Sequence, residues 1–307
     1  NPGFAAGTVA AGGTLGIMIP PSMAMIVFGV TTENSIAKLF IAGILPGLLI
    51  SSAFIVYIIL RGIVQPATVG AGKGQAKFKE LEEPFTLKSF IKEALLVFPP
   101  VLLIVLILSV IYTGAATPTE AAGIGAVGAL ILLLVERRGS LPLSLARTIL
   151  LRTTRTSAMM LFLIFGGLTL SYVVSYLGIA QTIADSIVAL GVNKYIIVSA
   201  IYLLWICLGM VIDPISMILL TIPFLYQTLL ELGFTPYWMA VVSTLSVEIG
   251  MLTPPVGLNL FVIKGICEVP MERIIMGVLP YIGVLLTCLA ILTAFPEIPN
   301  YLPSRMN

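Results

Sequence analysis

Long charge-free runs constrain this chain more than any other feature: Leu39–Leu60, Ala94–Thr119, Thr156–Ala184 and Ile274–Pro296. Each reaches or exceeds the ~20 residues an α-helix needs to cross ~30 Å of hydrocarbon. The runs lack the period-two alternation of a barrel strand, so the crossings are helical. A water-soluble domain with 59% hydrophobic and 10% charged residues would expose far too much apolar surface. The fold class is therefore an all-α polytopic membrane protein.

Charge placement orients the spans. Cations cluster at Arg61, Lys73, Lys77, Lys79, Lys88 and Lys92, and again at Arg137, Arg138, Arg147, Arg152 and Arg155. Placing both clusters in the cytoplasm also puts Lys264 and Arg273 there, and leaves Lys38, Lys194 and Arg305 outside. A cytoplasmic loop explains the basic stretch at 61–92 better than nucleic-acid binding does. Cys207, Cys267 and Cys288 form no C-x-x-C spacing and histidine is absent, which disfavours zinc, haem-histidine and Ser-His-Asp chemistry.

Two apolar stretches carry the same interruption: Gly16-Ile17-Met18-Ile19-Pro20-Pro21 and Gly250-Met251-Leu252-Thr253-Pro254-Pro255. The register continues without a gap through Pro2/Pro236, Ala6/Ala240, Ile41/Ile275, Gly43/Gly277, Leu45/Leu279 and Pro46/Pro280. By the charge count the first broken span runs outward and the second inward. Similar segments in opposite orientation make an inverted repeat, and paired broken helices point to a transporter's binding site.

The chain then reads as four regions. Residues 1–60 hold the first broken helix, an interfacial arm (Thr31–Ala42) and a returning span (Leu45–Leu60); residues 61–93 are a cytoplasmic linker. Residues 94–190 hold scaffold spans Ala94–Tyr112, Ala121–Val135 and Ser157–Tyr172, with surface helices Leu143–Thr154 and Ile179–Leu190. Residues 191–307 hold a re-entrant hairpin of two half-helices, Tyr195–Val211 and Ser216–Leu230, then the second broken span Thr235–Ile263 and a last span Leu279–Thr293. The hairpin tip is Ile212-Asp213-Pro214-Ile215-Ser216.

Gly followed by Pro-Pro strips donors from the preceding carbonyls, which need a replacement partner inside a membrane. Neighbouring helices can solvate two such kinks. Alternatively a desolvated Na⁺ held by carbonyls and hydroxyls fills the role, and the helix termini suit an anionic substrate. Thr14 and Ser22 offer hydroxyls at the first break, and Ser246, Thr253 and Ser216 at the second. Asp213 either caps the second half-helix or ligates a cation. Glu248 is either a proton or cation group or an acceptor for backbone N–H groups at the break, since an unpaired acid at this depth is costly. Asn259 either faces substrate or bonds a neighbouring helix. Thr117-Pro118-Thr119-Glu120 reads as a capping box, and Gly123, Gly125 and Gly128 as helix-packing positions, since no strand precedes them to make a dinucleotide loop.

Four runs in order, Gly13-Thr14-Leu15-Gly16-Ile17-Met18-Ile19-Pro20-Pro21-Ser22, Lys38–Gly47, Thr117–Ala122 and Glu248–Asn259, resemble the large permease subunit of tripartite ATP-independent periplasmic transporters. The resemblance implies Na⁺-driven import of an organic anion through the inner membrane of a bacterial or archaeal cell. It also implies a small four-helix membrane subunit and a periplasmic substrate-binding protein as partners, lipid around the spans, and elevator motion of the hairpins and broken helices. Carried onto this chain, one Na⁺ site uses Gly13, Thr14 and Gly16. The second uses Asp213, Pro214 and Ser216 with Gly250, Met251 and Thr253. The substrate anion is expected against Pro20, Pro21, Ser22, Pro254, Pro255 and Asn259. A first hairpin and initial scaffold helices, ~100 residues if the repeats match in content, are expected before Asn1.

Other readings are a stand-alone Na⁺/dicarboxylate symporter, an intramembrane enzyme using Asp213 and Glu248, and a non-transporting scaffold. An aspartyl enzyme needs its two carboxylates within hydrogen-bond reach.

Overall fold

A computed structural model of the chain describes residues 1–66, 87–189 and 191–306. In order, the helices are α1 (Pro2–Met18), α2 (Met23–Thr32), α3 (Ile36–Val64), α4 (Leu87–Tyr112), α5 (Pro118–Glu136), α6 (Leu143–Tyr176), α7 (Ile179–Ala189), α8 (Lys194–Gly209), α9 (Pro214–Glu231), α10 (Pro236–Leu252), α11 (Leu258–Ile266), α12 (Met271–Ala294) and α13 (Glu297–Tyr301). No strand occurs among the described residues. Among the described residues six helical stretches are long and apolar enough to cross a membrane, Pro2–Thr32, Ile36–Val64, Pro118–Glu136, Leu143–Tyr176, Pro214–Glu231 and Met271–Ala294, in keeping with a multi-pass protein. Of the linker expected over 61–93, residues 67–86 lie outside the described residues, and its ends are helical, since α3 runs on to Val64 and α4 begins at Leu87.

Two compact units divide the chain, Lys73–Phe162 as one and Asn1–Gly72 with Leu163–Asn307 as the other. In the first, α4 and α5 pack where Gly125 and Gly128 admit Ile107 and Leu103; a Cβ at Gly128 would lie 2.4 Å from the Leu103 Cδ1. These glycines serve close helix approach, as expected. α5 starts on the expected capping box: the Thr117 N–H donates to Glu120 Oε2 at 2.8 Å and the Glu120 N–H to Thr117 Oγ1 at 3.3 Å.

The second unit is built around α10, in which every residue from Trp238 to Leu252 is buried. Ser243, Thr244, Ser246 and Glu248 suit it to a place inside the unit rather than at a lipid face. Its polar residues hide their hydroxyls against their own backbone: Ser243 and Thr244 donate to the Ala240 carbonyl and Ser246 to that of Val242.

α12 gives the two broken helices their directions. α1 begins beside the start of α12, where an added Cβ on Gly3 would meet Arg273 and one on Gly7 would meet Gly277; further along, Thr8 and Tyr281 share a 2.6 Å hydrogen bond. α10 begins beside the other end, with the Trp238 indole N–H donating to the Leu292 carbonyl at 2.8 Å and Thr235 bonded to Asn300. The broken helices therefore enter from opposite ends of α12, the inverted arrangement read from the charges.

Two expected boundaries are corrected. No separate surface helix precedes the span at Ser157, because α6 is continuous over Leu143–Tyr176; the threonines and arginine near 153–155 cannot stop a helix as Pro or Gly does. Likewise the arm and returning span form one helix, α3, which runs through Pro46, and α12 runs through its register mate Pro280 in the same way. Each of these prolines removes a single ladder bond inside a long helix, and even a consecutive pair is tolerated where α4 runs through Pro99-Pro100.

Candidate functional site

The second break follows from proline chemistry. Pro254 and Pro255 lack the N–H groups that would reach the carbonyls of Gly250 and Met251, so α10 stops at Leu252. Thr253 repairs part of the loss: its N–H donates to the Gly250 carbonyl at 2.9 Å and its hydroxyl to the Ile249 carbonyl at 2.6 Å. Among the described residues no backbone N–H reaches the carbonyls of Met251 or Leu252. Gly257, at φ +61°, turns the chain into α11.

α8 and α9 form the expected hairpin, tied by the Trp205 indole N–H donating to Thr221 Oγ1 at 2.9 Å. The tip end of α8 docks on the break. A Cβ on Gly250 would fall 2.4 Å from the Ile206 carbonyl oxygen, one on Gly209 would fall 2.8 Å from that of Val247, and the Gly257 N–H donates to the Met210 carbonyl at 3.2 Å. Gly250 is therefore a close-approach residue, and only a glycine lets the two backbones meet there.

At the tip Asp213 caps α9. Its Oδ2 accepts from the Ile215 and Ser216 N–H groups at 3.0 and 3.2 Å, and its Oδ1 from the Ser216 hydroxyl at 2.5 Å. Pro214 occupies the first helical position. Of the two readings of Asp213, the geometry is that of the cap. Contact between tip and break runs through Ile206 and Met210 on one side and Gly250 and Gly257 on the other.

Pro20 and Pro21 interrupt the first span in the same way, leaving the carbonyls of Gly16, Ile17 and Met18 without a backbone donor among the described residues, while Ile19 still donates to Leu15 at 2.9 Å. The Pro-Pro bonds at the two breaks, Pro20-Pro21 and Pro254-Pro255, are cis. The surroundings differ, since no described atom lies within 4 Å of a Cβ placed on Gly12, Gly13 or Gly16. Thr14 is buried, with its hydroxyl donating to the Ala11 carbonyl at 2.6 Å. Ser22 is a buried N-cap whose Oγ accepts from the Met25 N–H at 3.4 Å. Capping accounts for it without substrate contact.

Asn259 lies near the start of α11, after the second break. Together with Gly13 and Ile17 of α1 it lines a small cavity of ≈ 130 Å³. Its amide makes no hydrogen bond within the described structure, so the helix-bonding alternative finds no support.

Glu248 is the feature the sequence reading placed least well. It is 0% exposed, and neither carboxylate oxygen has a hydrogen-bond partner among the described residues. The acceptor role fails for a physical reason. Backbone N–H groups up to Leu252 belong to the α10 ladder, Thr253 bonds Gly250, and the next two residues are prolines. A shared proton with Asp213 is also absent, because every Asp213 oxygen bond goes to Ile215 or Ser216; this contradicts the aspartyl-enzyme reading.

Residues 1–298 match the family model described as "Tripartite ATP-independent periplasmic transporter, DctM component". The chain is 34% identical over 304 residues to the C4-dicarboxylate TRAP transporter large permease protein of Pseudomonas aeruginosa, covering 98% of this chain and 67% of that one. It is 32% identical to the sialic acid TRAP transporter large permease protein of Vibrio cholerae, with the same coverage, and 33% identical to the ectoine TRAP transporter large permease protein of Halomonas elongata, covering 94% of this chain and 64% of that one. These relatives are transporter permeases, not enzymes. On a match spanning nearly its whole length, the chain belongs to the DctM family of TRAP transporter large permease subunits.

Proposed function

We propose that this chain is the translocating subunit of a Na⁺-coupled importer of an organic carboxylate. It works with a small permease subunit and a periplasmic substrate-binding protein in the inner membrane of a bacterial or archaeal cell. One observation carries the reading: two oppositely directed broken helices each end in donor-stripped carbonyls, and a small cavity lined by Asn259 lies between α1 and α11. The half-helix ends bear partial charges suited to a small cation and a carboxylate.

Thr253 and the Met251 carbonyl are the groups best suited to hold Na⁺ at the second break, with the hairpin tip packed on Gly250. The Thr253 hydroxyl spends its proton on Ile249 and keeps its lone pairs for a cation. A bound cation supplies positive charge in the part of the unit where Glu248 stands unpartnered, and an isolated buried carboxylate favours such company. At the first break, Gly13 and Gly16 with Thr14 form the corresponding half-site. Asn259, with two amide donors and no internal partner, orients the substrate carboxylate beside Pro20, Pro21, Pro254 and Pro255.

The names of the relatives specify C4-dicarboxylate, sialic acid, ectoine and isethionate, which supports a small organic substrate with an anionic group. The first three carry a carboxylate, and isethionate carries a sulfonate in its place. In the elevator reading the hairpin and α10 move as one block, which fits backbone-to-backbone packing at Gly209 and Gly250.

The test is uptake of labelled C4-dicarboxylates, sialic acid and ectoine into vesicles holding the full-length permease and its small subunit, with and without the purified binding protein and with Na⁺ replaced by K⁺. Expected is uptake that requires both Na⁺ and the binding protein. Undiminished uptake without the binding protein makes it a stand-alone symporter, and undiminished uptake in K⁺ removes the Na⁺ coupling.

A further inference from the structure

At the end of the second unit that the charge count places outside, a cavity of ≈ 270 Å³ lies among four helices: the ends of α2 and α6, the first turn of α7 and the second half of α9. It is remote from the start of α1, since α2 carries the chain from the first break to this end. Local sequence explains why the ends meet. α6 approaches α9 through Gly167, where a Cβ would fall 2.5 Å from the Leu219 Cδ2, and Gly178, at φ +67°, turns the chain so that α7 follows at once. The Gln181 amide N–H donates to Glu231 at 3.0 Å and ties α7 to α9; the Asn34 amide N–H donates to the Tyr226 hydroxyl at 2.9 Å and ties the end of α2 to α9.

Among the described residues no charged side chain lines the cavity. Its wall is hydroxyl and amide, and the hydrogen bonds around it determine which atoms remain for a ligand. The Thr31 and Thr32 hydroxyls donate to the Val27 and Phe28 carbonyls, at 2.8 and 2.7 Å, and keep lone pairs. Gln181 and Gln227 spend amide N–H groups on Glu231, at 3.0 and 3.4 Å; an ionised carboxylate only accepts, so each amide keeps its carbonyl oxygen. The Tyr226 hydroxyl accepts from Asn34 and keeps its proton, and the Ser171 and Ser175 hydroxyls bond nothing among the described residues.

Free O–H donors thus alternate with free oxygen acceptors on an uncharged wall. A ligand hydroxyl both donates and accepts, so it meets such a wall wherever it lands. An anion would find no cation here, and Glu231 and Asp185 stand behind the glutamines. An apolar ligand would leave the donors unpaired. Ile222, Pro223 and the ring of Tyr226 supply surface for the carbon face of a hydroxylated molecule. We propose that this cavity binds a small neutral polyhydroxylated molecule, a monosaccharide or a polyol of similar size. The site stands apart from the proposed transport site, and binding read without uptake lets the two readings fail separately.

Thermal unfolding of the full-length permease with its small subunit in detergent tests it, with glucose, sorbitol, glucuronate or betaine added in turn. Excluded solutes stabilise proteins in proportion to concentration, so only a saturable rise in the midpoint reports the site. Glucose and sorbitol are expected to give a saturable rise, glucuronate to need about tenfold more for half-saturation, and betaine, which has no hydroxyl, to rise without saturating. Ser171→Ala/Ser175→Ala removes two donors while keeping good helix formers, and should weaken half-saturation by glucose about tenfold. Tyr226→Phe keeps the ring and should weaken it severalfold. Ser51→Ala, whose hydroxyl bonds the Gly47 carbonyl within α3, should leave it unaltered. A rise that stays linear with both glucose and sorbitol, or an unchanged half-saturation in the folded serine and tyrosine variants, overturns the proposal. Glucuronate binding as tightly as glucose overturns the neutral class of ligand.

Discussion

The two breaks share a sequence pattern and a backbone geometry but differ in what surrounds them. At the second, the end of α8 presses backbone against backbone on Gly250, and α10 is buried on every side. At the first, Gly13 and Gly16 face open space among the described residues, and α1 is held by its other face, where Gly3 and Gly7 meet α12. The same local code thus yields a packed junction in one place and a bare half-site in the other. Pro-Pro strips the donors, but the surroundings decide whether the helix stops, since α4 runs through Pro99-Pro100, and what the stop becomes.

Matched glycines give the largest expected contrast. Gly250→Ala pushes a Cβ into the Ile206 carbonyl and should cost about 3 kcal/mol, the upper end for forced overpacking. Its register mate Gly16→Ala meets nothing and should be neutral, or stabilise by up to about 1 kcal/mol through helix propensity. Urea or thermal unfolding of the two variants in detergent checks this, and equal destabilisation would break the comparison. Gly7→Ala, which drives a Cβ within 2.4 Å of the Gly277 carbonyl carbon, should cost about 2 kcal/mol in the same assay, because α1 can shift slightly off α12. A neutral Gly7 variant would mean that α1 is not anchored through this face.

A smaller effect separates the cap from the charge at Asp213. Asp213→Ala should lose about 1 kcal/mol, as N-cap removal does, whereas Asp213→Asn keeps an acceptor for the Ile215 and Ser216 N–H groups and should lose only a few tenths. If Na⁺ dependence of uptake disappears in the Asn variant while its stability holds, Asp213 acts through its charge as well as through its cap.

Much of this was legible from residue order. Charge-free runs announced the spans, Gly followed by Pro-Pro marked both breaks although Pro99-Pro100 lies inside α4, and Thr117-Pro118-Thr119-Glu120 and Asp213-Pro214 announced two helix starts, because a cap depends on backbone donors within a few residues. The continuity of α3 and α6 was not legible: whether Pro46 ends a helix or sits inside one depends on packing along its length. The meeting of Gly7 with Gly277, and of Gly209 with Gly250, joins residues distant in sequence, and no local period encodes it. Glu248 was visible as a deep acid, but its lack of any partner emerges only once the surrounding N–H groups are counted.

The most direct test of the second break as a cation site is the Na⁺ concentration that half-saturates uptake, compared between the full-length wild type and Thr253→Ala. That substitution costs only about 0.6 kcal/mol of structure, since it removes one helix-internal hydroxyl bond. Half-saturation should rise about tenfold or more, with the protein still folded, on losing one oxygen ligand. An unchanged half-saturation in Thr253→Ala would contradict the assignment of Na⁺ to the second break.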